Sequence, residues 1–409
     1  MLASLIPLFD DAMKVCAYSI FAQKENHLLN PYREGTGRYD GAGTIAGLEI
    51  VDSMGMETLS GDREVFIQMD NVSMYADLRE QCKAPHDKLV LLLDNSVEPT
   101  EQNIRRLHEL RDQGYKLAMR KLKVSRFEEY RQVLSQCEYI LLDHKRIDIN
   151  KARVYFGKVY PNIKLCAVNV DTQDDYDMLT EHGGYNLYEG PFFRMPVHES
   201  QTDVSPLKVT YIELLNVVNE PDFDLTDAAD VIGEDAALVI SLLEMVNHMA
   251  VNSEITSVRH AAAMLGQREL KKWINTAVTK ELCADKPSEI TRISMLRAKF
   301  AENLAPIFEM GGLSSELFLM GLFSVLDIML GKTMEDSLKM VKVSKNISNA
   351  LINGTGELAP VLNFVKEYEN ASWQEISRIM VLGDMDMDQV YKAYLEALKW
   401  YRDLIGNAG

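Results

Sequence analysis

Few residues in this chain are spaced to do chemistry. His248 and His260 stand 12 positions apart with no carboxylate or cysteine at ligand spacing, so they read as surface or capped histidines rather than a metal pair. Cys16, Cys82, Cys137, Cys166 and Cys283 are odd in number, far apart and never arranged as C-x-x-C. That pattern signals neither a disulfide framework nor a structural zinc, and buried thiols in a reducing compartment are expected. The basic run Lys116, Arg120, Lys121, Lys123, Arg126 and Arg131 could hold an anion. Its plainer reading is a solvated face offsetting nearby acids.

The elements that position these residues change character near Pro196. Before it, short runs that are apolar on both faces recur: Val65-Phe66-Ile67, Leu89 to Leu93, Lys116 to Met119, Tyr139 to Leu142 and Ile163 to Val168. Strands apolar on both faces belong to a parallel sheet that is covered on both sides. Between two of them, residues 100–114 carry Ile104, Leu107 and Leu110 at helical intervals, with Thr100 as N-cap and Gly114 as stop. This is βα repetition. After Pro196 the strand-like runs end. Leu238, Leu242, Met245 and Met249 form a helical stripe, and Ser257 caps a further helix that closes at Gly266 before one carrying Leu270, Trp273 and Ile274.

A length of 409 residues suits two cores better than one. The expected division is a β-rich domain over residues 1–197 and an all-α domain over 206–409, each folding by itself, with the boundary in the polar stretch between His198 and Pro206. The formal charge is −18. Residues 1–200 hold 24 basic against 31 acidic side chains and residues 201–409 hold 19 against 30, giving −7 and −11. Neither half has the cationic field that nucleic-acid binding requires. Residues 1–9 are apolar but lack a basic leader and run into Asp10 and Asp11, and no later run of about 20 uncharged apolar residues is apparent. A cytoplasmic protein without a membrane span is expected.

The opening Pro7-Leu8-Phe9-Asp10, the run from Val15 to Phe21, the strand end Leu141-Leu142-Asp143 and the closing run from Gly190 to Pro196 resemble the EAL family of cyclic di-GMP phosphodiesterases. The resemblance covers residues 1–196 and implies a TIM-like (β/α) barrel with its site at the C-terminal ends of the strands. Active members of the family hold two divalent metals through carboxylates and an asparagine. In register with their motifs, the glutamate of E-A-L is Ser19, the asparagine is Gln68, the next glutamate is Leu92, and the paired aspartates are Arg120 and Lys121, followed by Leu122. A lysine becomes Leu141 and a further glutamate Val168, while Asp143 and Asp171 keep their carboxylates. Three positions that hold the nucleotide become Ile6, Gln23 and Glu189. A slip of one position would offer Asp70 or Asp94 as a displaced ligand, but no such slip makes Arg120-Lys121-Leu122 a carboxylate pair. Like charges about 4 Å apart cost roughly 4 kcal/mol at an intermediate dielectric, so two cations there repel metal.

The second half resembles HDOD domains, relatives of HD hydrolases that usually lack the metal-binding histidines. The resemblance rests on Ile232 to Leu238, on Leu242-Leu243 with Val246-Asn247, and on Ser257 with Ala261-Ala262 and Leu265-Gly266. A His-Asp dyad would follow Gly321-Leu322, where the chain reads Phe323-Ser324, and His260 is its last histidine. The two resemblances together imply a degenerate EAL barrel followed by a helical HDOD domain of the HD superfamily. They imply no enzyme activity, no catalytic or metal site and no cofactor. The expected role is a bacterial signalling adapter that holds protein partners. The alternatives are a receptor that binds cyclic di-GMP or a related nucleotide without cleaving it and, least favoured, an active phosphodiesterase.

Overall fold

The structure is a computed structural model and describes residues 1–26, 28, 45–198, 203–220, 222–249 and 255–406. The chain divides into two compact units. One comprises Met1–Met195 with Lys366–Leu395, and the other Pro196–Val365 with Glu396–Gly409.

The first unit is a closed barrel of eight strands in sequential order. They are β1 Leu2–Phe9, β2 Val15–Gln23, β3 Glu64–Met69, β4 Leu89–Leu93, β5 Lys116–Arg120, β6 Tyr139–Asp143, β7 Lys164–Val168 and β8 Leu187–Glu189. Every apolar run expected as a strand is one. All five residues of β4 are buried, because helices cover its outer face and barrel side chains its inner face. Between β4 and β5 the expected helix is Glu101–Asp112, with the Thr100 hydroxyl accepting from the Asn103 N–H and Gly114 at φ +97° beyond its end.

β1 breaks the βα rule, since it is antiparallel to both β2 and β8 while β2 to β8 run parallel. A tight turn makes this geometry: Asp10 accepts through Oδ1 from the Ala12 and Lys14 N–H groups. β1 pairs with β2 along its whole length but with β8 only at Leu8 and Phe9. Its remaining edge is covered by the segment Lys366–Leu395, where the Tyr368 hydroxyl accepts from the Ala3 N–H at 3.2 Å and the Glu369 carbonyl accepts from the Ser4 hydroxyl at 3.0 Å.

Beside the expected division at residues 1–197 and 206–409, the compact units meet between Met195 and Pro196, and residues 366–395 pack with the barrel. The physical reason is that open strand edge, whose backbone groups need partners. Sequence periodicity marks 366–395 as helical but carries no sign of which core it joins.

Among its described residues the second unit is helical. Ala236–Met249 is a helix, and of the expected stripe Leu238 and Leu242 are buried, together with Val246, while Met245 is half-buried and the Met249 side chain lies outside the described residues. The Ser257 hydroxyl accepts from the His260 N–H at the start of Val258–Leu282, and Gly266 at φ +73° kinks that helix where the sequence placed a stop. Helix Ser288–Leu304 and helix Ser314–Leu322 approach so closely that a Cβ on Gly321 would stand 2.4 Å from the Arg297 carbonyl oxygen.

The stretch Gly311–Leu330 is long and apolar enough to cross a membrane, with a mean hydropathy of 1.7, although it carries Glu316 and Asp327 and so is not an uncharged run. Here it bends through short helical turns at Gly311–Leu313 and Phe323–Val325, with 67% of its apolar window buried inside the molecule.

Candidate functional site: the mouth of the barrel

The positions singled out by motif register meet at the C-terminal ends of the strands and behave in three different ways. Leu92, Leu141 and Val168 point inward and pack in one apolar cluster with Phe66, Ala118 and Cys166. They are barrel core, and burial pushes the Cys166 thiol well above its ordinary range.

Ser19, Arg120 and Glu189 form a buried polar network. The Arg120 guanidinium lies 3.3 Å from Glu189 Oε1, with side chains 14% and 8% exposed. The Ser19 hydroxyl donates to Glu189 Oε2 at 3.3 Å. The guanidinium carbon also sits 4.9 Å from the centre of the Phe21 ring, a cation–π arrangement. The network therefore ties β2, β5 and β8 together across the mouth. Replacing Glu189 by Gln keeps the volume but strips the buried cation of its countercharge. The expected loss is roughly 3 kcal/mol of unfolding free energy, read from urea denaturation. A loss below about 0.5 kcal/mol, the range of ordinary surface substitutions, would show that the pair does not hold the mouth.

Gln68 and Lys121 stay exposed at the rim of a cavity of about 420 Å³ that Lys24, Asp94 and Arg120 also line. Lys121 adopts φ +59°, a left-handed conformation uncommon for lysine.

The surviving carboxylates are engaged locally. Asp143 lies 3.2 Å from Arg146, and Asp171 pairs with Lys145. Asp70 accepts from the Val72 and Ser73 N–H groups, and Asp94 from Ser96, so both shape turns. Among the described residues no three His, Cys, Asp or Glu side chains are grouped so as to hold a metal ion.

The basic run from Lys116 to Arg131 is divided by the fold. Arg126 pairs with Glu129 on the surface, and Arg120 turns into the mouth. Lys116 goes to the opposite, N-terminal end, where it lies 2.5 Å from Glu64. There the Tyr139 hydroxyl donates to Glu64 at 2.6 Å and Lys164 to Tyr139 at 3.2 Å; burial first, then the Glu64 hydrogen bond, pushes the Tyr139 phenol far up. This end of a barrel is a place for stability rather than catalysis. Sequence reasoning missed the Arg120–Glu189 pair. Its only signal was a base ending one strand and an acid ending another, 69 positions apart.

In the helical unit the residues standing where an HD dyad would fall are core. Phe323 is fully buried, and the Ser324 hydroxyl donates to the Gly321 carbonyl at 2.7 Å and accepts from Arg297 at 3.1 Å. Asp327 is 4% exposed and accepts from the Val197 N–H. Nearby helices carry ion pairs that the sequence did not announce. Glu289 and Arg292 pair at 2.7 Å with almost no exposure, and Glu302 receives Lys272 and Lys299, each at 2.7 Å. Burial alone would raise the Glu302 carboxyl, but those two lysines outweigh it and hold it below the ordinary range.

Comparison with known proteins bears on both units. Residues 204–351 match the HDOD domain. The chain is 26% identical over 325 residues to the cyclic di-GMP phosphodiesterase CdgJ of Vibrio cholerae, spanning 78% of this chain and 74% of that protein. It is 25% identical over 416 residues to YuxH of Bacillus subtilis, spanning 98% and 97%. Among solved structures it is similar to the phosphodiesterase PaMucR in complex with c-di-GMP, with a TM-score of 0.37 and 13% identity over 46% of this chain and 93% of that one. It is also similar to Klebsiella pneumoniae BlrP1 with manganese and the same dinucleotide, with a TM-score of 0.39 and 15% identity over 46% and 54%. The chain therefore joins a closed eight-stranded barrel to a helical unit in which residues 204–351 match the HDOD domain.

Proposed function

We propose that this chain is a non-catalytic adapter in bacterial cyclic di-GMP signalling, acting through protein contacts rather than phosphodiester hydrolysis. The observation that carries this reading is the buried Arg120–Glu189–Ser19 network. EAL-type hydrolysis uses two divalent cations, and such hard cations need oxygen ligands. Leu92, Leu141 and Val168 offer none and are packed as core. A guanidinium inside the mouth supplies positive charge where a metal pair would need its ligands. The residues present do not fit that metal pair.

The HDOD domain supports the other half of the reading, because its family resemblance is to interaction modules. Residues 201–409 carry −11 against −7 for residues 1–200. A partner with a basic surface would gain association rate from that field. The place of action we propose is the cytoplasm, in keeping with five cysteines that remain thiols.

A second reading, reception of the dinucleotide without cleavage, is favoured by the cavity of about 420 Å³ with Lys24, Gln68, Arg120 and Lys121 on its walls. The name of the Vibrio relative makes hydrolysis the direct test. Incubation with cyclic di-GMP and manganese or magnesium is expected to release no linear dinucleotide above the enzyme-free blank, and metal-dependent release would overturn the adapter reading. Calorimetric titration with cyclic di-GMP, with and without magnesium, then separates the two: heat of binding without turnover selects the receptor, and no heat selects the adapter.

A further inference from the structure

The segment Lys366–Leu395 buries one face with the barrel and leaves another open. Its helix Trp373–Leu382 buries Ile376 and Met380 and ends at a short turn, residues 383–386, before helix Met387–Gly406. The turn closes tightly: the Met385 N–H donates to the Met380 carbonyl at 2.9 Å, and Asp384 takes a left-handed φ of +49°. Directly before it Val381 and Leu382 are 41% and 74% exposed, and Leu382 is the most exposed large apolar side chain among the described residues. Single apolar side chains on a surface are ordinary. These two stand in the chain between residues that line one cavity of about 520 Å³, whose walls include Met1, Met380, Met385 and Met387.

The same cavity carries acid. Asp384, Asp386 and Asp388 line it and are exposed, and residues 379–391 hold no lysine or arginine. Lys24 on its wall and the Met1 amino group, 3.2 Å from Asp388, offset part of that charge. Asp384 and Asp386 have no cationic partner among the described residues. Flexible thioethers accept anchors of several shapes, which is how methionine-rich surfaces receive helices. The carboxylates around them attract a cationic partner, and they repel both an anionic lipid surface and a second copy of a chain of net charge −18. We propose that this face is a docking site for a basic amphipathic helix of a partner protein. A large apolar side chain of that helix sits among Met380, Met385 and Met387, Leu382 packs on its apolar stripe, and its lysines or arginines lie beside Asp384 and Asp386. The proposal rests on the adapter reading and deepens it, giving the barrel unit a contact surface of its own.

The test uses the full chain and a fluorescein-labelled helical peptide of leucine and lysine with one tryptophan on its apolar face, read by fluorescence anisotropy. The comparison peptide has the same composition, scrambled so that no face is apolar. The wild type is expected to bind the amphipathic peptide about tenfold more tightly than the scrambled one, and Leu382→Ser to lose about that tenfold, the worth of burying one leucine. Asp384→Asn combined with Asp386→Asn keeps an oxygen to accept from the Gln389 N–H, as Asp386 does at 2.8 Å. That variant is expected to bind about fivefold more weakly at low salt and to lose most of its salt dependence. Equal binding of the two peptides, or unchanged affinity in Leu382→Ser, shows that the acidic surface at large holds the peptide and overturns the proposal. A wild-type mass by light scattering that doubles with concentration, and no longer does so in Leu382→Ser, gives the face to a second copy and also overturns it. Urea unfolding checks each variant, and should one unfold early the other decides. The hydrolysis assay decides the adapter reading and peptide binding decides this face, so the two fail separately.

Discussion

Residues 1–205 expressed alone are expected to give no cooperatively folded barrel, although they contain all eight strands. The fragment lacks Lys366–Leu395, whose Tyr368, Ile376, Met380, Val390 and Tyr394 are each at most 6% exposed in the full chain. Burying a large apolar side chain stabilises by about 1.5–3 kcal/mol. Loss of even part of that set removes an amount comparable with the whole of a typical folding free energy, about 5–15 kcal/mol. The Ala3 N–H and the Ser4 hydroxyl lose their acceptors as well. Circular dichroism of 1–205 should show a broad, non-cooperative melt with binding of a hydrophobic dye. Joining residues 366–395 to 1–198 through a flexible linker should restore a sharp transition. A fragment 1–205 that melts as sharply as the full chain would show that the covering segment is an addition to the barrel and not part of it.

That expectation departs from the division the sequence alone suggested, and the departure marks the limit of local reading. The strand Leu89–Leu93, the helix cap at Thr100 and the break at Gly266 are legible because each is written within a few residues: an unbroken apolar run, a hydroxyl before a helical stripe, a glycine at a left-handed turn. The bond from Ala3 to Tyr368 joins positions 365 apart, and nothing near either residue points to the other. The mouth of the barrel lies between these extremes. Motif register brought Ser19, Leu92, Arg120 and Glu189 to one end of the strands, but it read Arg120 as the loss of an aspartate. In the closed barrel the same side chain is a buried cation with a partner, and Leu92 and Leu141 are packing rather than missing ligands. Neighbouring positions of that register therefore differ in kind, some filling the core and some forming a polar bridge.

Replacing Gly321 by Ala should be among the most damaging single changes in the helical unit, although it adds one methyl group. A Cβ at this position would lie 2.4 Å from the Arg297 carbonyl oxygen, 2.5 Å from its carbon and 2.6 Å from the Ala298 nitrogen. All three are backbone atoms of the helix Ser288–Leu304, so no rotamer change relieves the clash and the two helices must move apart. Separation would stretch bonds that depend on the approach, the Ser294 hydroxyl to the Leu322 carbonyl at 2.6 Å and Arg297 to Ser324 at 3.1 Å. It would also open space around Leu322 and Phe323, both fully buried. The expected loss is about 3–5 kcal/mol, beyond the usual range for point substitutions and tied to overpacking with broken buried hydrogen bonds. Gly312→Ala is the control, because a Cβ there meets nothing within 4 Å. Urea unfolding of the full chain, followed by hydrogen exchange in Ser288–Leu304, should show an early transition for Gly321→Ala and a near-wild-type curve for Gly312→Ala. Equal curves for the two variants would mean that the helices have room to spare, and the close approach of Gly321 to Arg297 would lose its place as the packing constraint of this domain.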